Sequence, residues 1–234
     1  MKIGVTLPTF TSDASEALRM SRSADEVGID GVFVFDHLWP GHDKSQPALS
    51  MYPVLGAVAA SISDIRIGSL VARVGLLPDE QVIQSFLSLR EMAGDRLVAS
   101  LGIGDHESVP ENAAYGVAWP ELEERRASLM TILDTLVSKG IECWVGATSS
   151  RTVELARGAG VSVNLWNVSP DRLAAEAGCG STTWAGPLPA SSAGAAEKLG
   201  CLQQAGAEWV IWAWPRSLEL VASAIRTSGL SGTA

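Results

Sequence analysis

Short apolar runs alternate with longer amphipathic stretches from one end of the chain to the other, and eight of these runs have the length and composition of strands. They are Ile3 to Leu7, Val32 to Phe35, Ile65 to Leu70, Leu97 to Leu101, Ile141 to Val145, Val161 to Leu165, Ser181 to Trp184 and Trp209 to Ala213. Segments with helical spacing follow each one: Asp13 to Val27, Pro53 to Ser61, Asp79 to Ala93, Pro120 to Ser138, Ser149 to Gly158, Pro170 to Ala177, Ser192 to Gln204 and Leu218 to Thr227. Strands that are apolar throughout are buried on both faces, which means parallel pairing under a cover of helices. Eight such units in 234 residues predict a compact α/β fold, a (β/α)8 barrel forming a single domain over 1–234. An open doubly wound sheet is the competing arrangement, which fewer strands would favour.

Punctuation supports this register. Thr11, Ser12 and Asp13 are capping types, Pro78 with Asp79, Pro120 with Glu121 and Pro170 with Asp171 open helices, and Gly28, Gly140 and Gly160 lie just past helix ends. The stretch Gly178 to Gly194, rich in Gly, Ser, Pro and Ala, reads as the seventh strand with a long loop behind it.

Composition narrows the functional classes. A net charge of -9 with no basic stripe excludes nucleic acid as an expected partner. Cys143, Cys179 and Cys201 are odd in number and lack a C-x-x-C pair, which suits a reducing compartment and supports neither disulfides nor structural zinc. MKIGVTLPTF reads at once as a strand and its loop instead of a leader, so the expected location is cytoplasmic. The longest charge-free apolar stretch, Ala48 to Ile62, contains Pro53 and Gly56 and falls short of a membrane span.

In a barrel of this kind, chemistry sits just beyond strand C-termini. There GVFVFDHLW, Gly31 to Trp39, delivers Asp36, His37 and Trp39 together, and the other two histidines, His42 and His106, also fall in strand-to-helix loops. A lone loop histidine is more often bonded to backbone than catalytic; Asp36 and the flanking aromatics tip His37 the other way. GIGDHE, Gly102 to Glu107, permits close backbone approach to a planar or phosphorylated ligand, or is simply a tight turn. GATSSR, Gly146 to Arg151, suits a phosphate cradle or a plain N-cap. Trp166, Trp184 and Trp214 at strand ends, with Trp39, would wall an apolar slot, although barrel filling uses tryptophan as readily. G-x-S-x-G, H-E-x-x-H and Walker sequences are absent, and no metal site is expected: one can be drawn from His37, His42, Asp105, His106 and Glu107, but the H-x-H pair of barrel hydrolases is missing.

In order and spacing, five segments resemble the luciferase-like monooxygenase superfamily, most closely its branch using the deazaflavin coenzyme F420. They are EVGIDGVFVFDHLWP (Glu26 to Pro40), IRIGSLVARV (Ile65 to Val74), DRLVASLGIG (Asp95 to Gly104), YGVAWPELEERRASL (Tyr115 to Leu129) and WVGATSSRTVELARGAG (Trp144 to Gly160). The resemblance implies a barrel with the cofactor ring in its mouth. It makes His37 the proton-handling histidine and Glu107 a second acid/base, with Asp36 and Gly104 beside the cofactor. It also puts a bulge against the ring near Leu70 and Val71, and a phosphate cradle at Gly146, Ala147, Thr148, Ser149 and Ser150.

From Leu136 to Ile141 the chain passes in a few residues through the place where full-length relatives carry a long excursion over the substrate. The resemblance therefore implies a shortened member without that lid and without the basic residues of sugar-phosphate-oxidising relatives. The expected function is hydride transfer between F420 and a small or medium hydrophobic substrate. FMN as cofactor in a monooxygenase of the same fold, a non-catalytic flavin- or F420-binding protein, and a metal-dependent barrel hydrolase stay open. Expected partners are a second copy of the chain, packed through the charge-free helix Pro53 to Ser61, and a separate reductase supplying reduced cofactor.

Overall fold

The computed structural model describes residues 1–40, 43–213, 215 and 217–229. Its strands are β1 (Lys2–Thr6), β2 (Gly31–Val34), β3 (Arg66–Ser69), β4 (Ala72–Arg73), β5 (Leu97–Gly102), β6 (Glu142–Gly146), β7 (Ser162–Trp166), β8 (Thr182–Pro187) and β9 (Trp209–Ala213). Helices α1 (Ala14–Glu26), α2 (Met51–Ala59), α3 (Asp79–Ala93), α4 (Val109–Ala114), α5 (Leu122–Ser138), α6 (Ser150–Gly158), α7 (Pro170–Ala177), α8 (Ser192–Gln204) and α9 (Leu218–Ser228) follow in turn. All pairings are parallel, in the order β3-β2-β1-β9-β8-β7-β6-β5-β4, and the ring closes where β3 also pairs with β5. This is the eight-position barrel expected, with the third position shared by β3 and β4.

The register shows why that position is split. Gly68 pairs with Val98 and Ala72 with Leu101, so Ser69, Leu70 and Val71 stand against only Ala99 and Ser100. One surplus residue makes a bulge, and the Leu70–Val71 peptide bond inside it is cis. The Ser69 hydroxyl donates to the Ser100 carbonyl at 2.7 Å and accepts from its N–H at 2.9 Å, replacing the interrupted ladder.

Two apolar layers result from the period-two alternation of the strands. Val32, Val34, Leu101, Val145, Val163 and Val210 face outward onto the helices. Phe33, Phe35, Leu70, Val98, Trp144, Ala185, Trp209 and Ile211 fill the interior. There Phe33 stacks on Trp144 with ring centres 5.3 Å apart, and Trp209 packs against both at 5.8 and 5.5 Å. Such offset and tilted contacts suit aromatic rings and plug the lower barrel.

Two expectations need correction. The stretch 178–194 carries no long loop, because β8 continues to Pro187 and α8 starts at Ser192. Trp184 is consequently mid-strand: with Ala185 inward it points outward, fully buried, to pack on Trp212 and bond the Val168 carbonyl at 3.0 Å. It belongs to the helix-facing core and walls no slot.

Candidate functional site

At the C-terminal mouth, the loop after β2 brings Asp36 and His37 against β4 and α4. His37 Nδ1 lies 3.0 Å from Glu111 Oε1 and 3.3 Å from Oε2, and Arg73 Nη1 donates to Oε2 at 2.6 Å. Glu111 and Arg73 are buried, each side chain 3% exposed, whereas that of His37 is 45% exposed. Asp36 Oδ2 accepts the backbone N–H of Arg73 at 2.9 Å. A carboxylate can only accept, so the hydrogen in the His37–Glu111 contact sits on Nδ1 and Nε2 is left for the mouth.

The electrostatics of the two acids differ. Burial pushes the Asp36 carboxyl up, against the Arg73 N–H bond and the charges of Arg73 and His37. For Glu111, burial acts upward too, but the His37 hydrogen bond and the His37 and Arg73 charges prevail and hold it below the usual carboxylate range. Burial, with the Asp36 charge, raises the Tyr52 and Tyr115 hydroxyls.

α4 is held by contacts that explain the YGVAWPELEERRASL segment. Asn112 Nδ2 donates to the carbonyls of Gly75 at 2.9 Å and Ala118 at 3.2 Å. Arg125 lies 4.0 Å over the Trp119 ring and bonds the Ile103 and Gly104 carbonyls. Gly104 has φ 66°, and a Cβ there would sit 2.9 Å from Trp119 and 3.1 Å from Arg73. Glycine is required on both counts.

Beside this network, Val71 of the bulge, two residues before Arg73, lies on Gly102 and Gly146; a Cβ at either would approach it to 2.4 or 2.8 Å. This side of the floor is therefore smooth backbone and valine methyls. Opposite, Phe10 stacks on Phe35 at 6.2 Å, Trp166 meets Phe35 edge-on at 6.0 Å, and the His37 ring stands 6.4 Å from Phe35. Trp166 is 40% exposed.

Not every residue singled out in the sequence joins this cluster. Glu107 is exposed on a 3-10 turn, His106–Ser108, its N–H bonded to Asp105, and it is Glu111 that meets His37. Trp39 is half-buried with the Lys44 amine 5.4 Å over its ring. Ala147 is buried, while Thr148, Ser149 and Ser150 are exposed at the start of α6, where Ser149 caps Thr152. His42 and Trp214 lie outside the described residues. Among the described residues no three His, Cys, Asp or Glu side chains gather as a metal site, and no helix is long and apolar enough to cross a membrane.

A family model described as luciferase-like monooxygenase matches residues 1–142, which contain β1 to β5 and the whole His37 network. The chain belongs to the luciferase-like monooxygenase family. Among curated family relatives, it is 35% identical over 133 residues to an F420-dependent glucose-6-phosphate dehydrogenase of Nakamurella multipartita, a match covering 56% of this chain and 37% of that one. A protein of the same description from Beutenbergia cavernae is 38% identical over 105 residues, 44% of this chain and 30% of its own. The chain thus matches well under half the length of these relatives. A solved F420-dependent secondary alcohol dehydrogenase, in complex with an F420-acetone adduct, superposes over 97% of both chains with a TM-score of 0.79 at 13% identity. The coenzyme F420 dependent tetrahydromethanopterin reductase of Methanopyrus kandleri covers 96% of both with a TM-score of 0.75 at 12% identity. At such identities the two share the fold with this family member.

Proposed function

We propose that this chain is an F420-dependent oxidoreductase that moves a hydride between the deazaflavin and a small or medium hydrophobic substrate. The observation that carries the reading is strand β4, which follows the Val71 bulge directly and whose Arg73 is linked through Glu111 to the half-exposed His37. A flat floor and a proton-handling group are thereby adjacent, as a planar hydride carrier requires. The mouth suits such a ring: Val71 over Gly102 and Gly146 offers a low face of glycine backbone and valine methyls, and Phe10, Phe35 and Trp166 offer an aromatic edge. Thr148, Ser149 and Ser150, with Gly146 and Ala147, stand at the α6 N-terminus, where amides and the helix dipole favour a phosphate.

When bound, the deazaflavin supplies or accepts the hydride. His37 Nε2 holds or takes the accompanying proton at the substrate heteroatom. Phe35, Trp166 and Trp39 exclude water from one side, which strengthens the electrostatics of the transfer. Arg73, the arginine bonded into this network, is buried against Glu111 and is not offered to a phosphate dianion, which supports a neutral substrate over a sugar phosphate. We also propose a homodimer through α2. Its Met51, Val54, Leu55 and Val58 are buried in the chain's own core, leaving Tyr52, Pro53 and Gly56 beside exposed Met92 in a groove against α3.

The test is a binding titration of F420, FMN and FAD, followed by reoxidation of bound reduced F420 with enones, imines and nitroaromatics under argon and in air. F420 preference with acceptor-dependent, oxygen-independent reoxidation is expected. FMN preference with oxygen consumption would make the chain a monooxygenase, and tight binding with no acceleration a binding protein. His37→Ala should lower turnover by about 10²-fold or more with cofactor affinity largely kept.

A further inference from the structure

We infer that Glu111 and Arg73 are positioning residues for His37: Arg73 fixes the Glu111 carboxylate, Glu111 takes the hydrogen of His37 Nδ1, and Nε2 becomes the nitrogen presented at the mouth. The reaction that His37 serves rests on the proposed function; the geometry does not.

Three hydrogen bonds and one step along the chain form a closed circuit. Asp36 holds the main-chain N–H of Arg73, the Arg73 side chain holds Glu111, Glu111 holds His37, and His37 follows Asp36 in the chain. No member can turn without breaking a neighbour's bond. Both Glu111 oxygens are engaged, Oε2 by Nη1 at 2.6 Å and the pair by Nδ1 at 3.0 and 3.3 Å, so the carboxylate plane is set. Among the described residues, the Nε and Nη2 groups of buried Arg73 have no hydrogen-bond partner, which leaves Glu111 as the side chain its guanidinium bonds. A desolvated cation whose side chain bonds one carboxylate keeps that partner ionised and close. The Glu111 carboxyl is accordingly lowered even though burial opposes it. Carboxylates behind a histidine fix its tautomer and ring orientation in many sites, and losing such a partner typically costs about 10–100-fold in activity.

The test compares wild type with Glu111→Gln and with the double variant Glu111→Leu/Arg73→Met, which removes both buried charges and retains apolar volume, so that it folds where a single truncation strands a charge. Two-bond 1H–15N spectra of the protein without cofactor, with the His37 signal assigned by its loss in His37→Ala, read the tautomer directly. The wild type should show Nδ1–H, and the double variant a shift to Nε2–H. In F420 turnover the double variant should lose about tenfold or more in kcat with KM and cofactor Kd within about threefold, and Glu111→Gln, which keeps the acceptor without the charge, should fall between. A wild type protonated at Nε2, or a double variant with unchanged tautomer and kcat, would overturn the inference. Failure of the wild type to bind F420 would remove the proposed function alone, because the tautomer is read without cofactor.

Discussion

At the C-terminal mouth, the connections after β2 and β5 use their polar residues differently from those after β6 to β9. In the half from β1 to β5, long connections at 35–50 and 103–121 carry side chains that bond across the fold, Asp36 to Arg73 and Glu111 to both His37 and Arg73. In the half from β6 to β9, helices start almost at once after the strands, and each begins with the same device. Ser149, Ser169, Ser191 and Ser217 cap α6, α7, α8 and α9 by accepting an N–H from within their own helix. A residue that closes its own helix makes no demand on the rest of the barrel. One that bonds across elements at the mouth couples the fold to it, and the family model matches the half that carries the His37 network. Cross-element bonds of the other half, among them Asn164 to Thr183 and Arg157 to Thr182, join strands and helix away from that network.

The largest way to break this comparison is Glu111→Ala. It leaves Arg73 buried without its anion, and the expected cost is about 3–5 kcal/mol in urea unfolding, against about 1 kcal/mol for Ser191→Ala. Equal losses would mean that the cross-fold network is no more demanding than a cap.

A smaller effect separates the two acids by pH. Glu111 is lowered from the ordinary 4.5, so its charge stabilises the fold at neutral pH, and that contribution is lost as pH falls through its folded value. Asp36 is raised from the ordinary 3.8, so its contribution is present in acid and lost as pH rises through its folded value. Glu111→Gln should therefore fall furthest behind wild type at neutral pH and converge with it in acid. Asp36→Asn should gain on wild type as pH rises from about 4 to 7. Chemical unfolding at several pH values measures both, and parallel curves for the two variants would contradict the opposite environments.

The sequence made the scaffold legible because strand runs and capping residues are local signals. The strand β9 and the helices α3, α7 and α8 coincide with the segments expected, and most other boundaries move by a residue or two. The mouth was less legible. α4 spans only Val109–Ala114, too short for helical periodicity, although Asp105 and Ser108 in a capping box and Pro110 in the first turn mark its approach. Glu111 is buried where a charged residue of a short surface helix is ordinarily solvated, so nothing local in the sequence marks it as a partner of His37. Arg73 did leave a signal: a cation inside the apolar run IRIGSLVARV must find an anion. Which anion depends on how β4 and α4 meet, and that is a property of packing.

The smallest expected effect sharpens the comparison at α6, where the halves meet. Ser149 does for its helix what Ser191 does for α8, so Ser149→Ala and Ser191→Ala should each lose roughly 1 kcal/mol of stability. The Ser149 hydroxyl accepts the Thr152 N–H and lies 2.9 Å from Thr152 Oγ1. When Thr152 donates in that contact, the Ser149 hydrogen is available to a phosphate oxygen. Exposed Ser150 has no capping duty and offers its amide and hydroxyl alone. If α6 cradles the cofactor phosphate, Ser149→Ala should weaken F420 binding about fivefold besides its stability loss, roughly the 1 kcal/mol of one hydrogen bond. Ser150→Ala should weaken binding with stability unchanged, and Ser191→Ala should lower stability with binding unchanged. Isothermal titration beside urea unfolding separates the three patterns. Identical F420 affinity in all three variants would make α6 one more capped helix and leave the phosphate to some other part of the mouth.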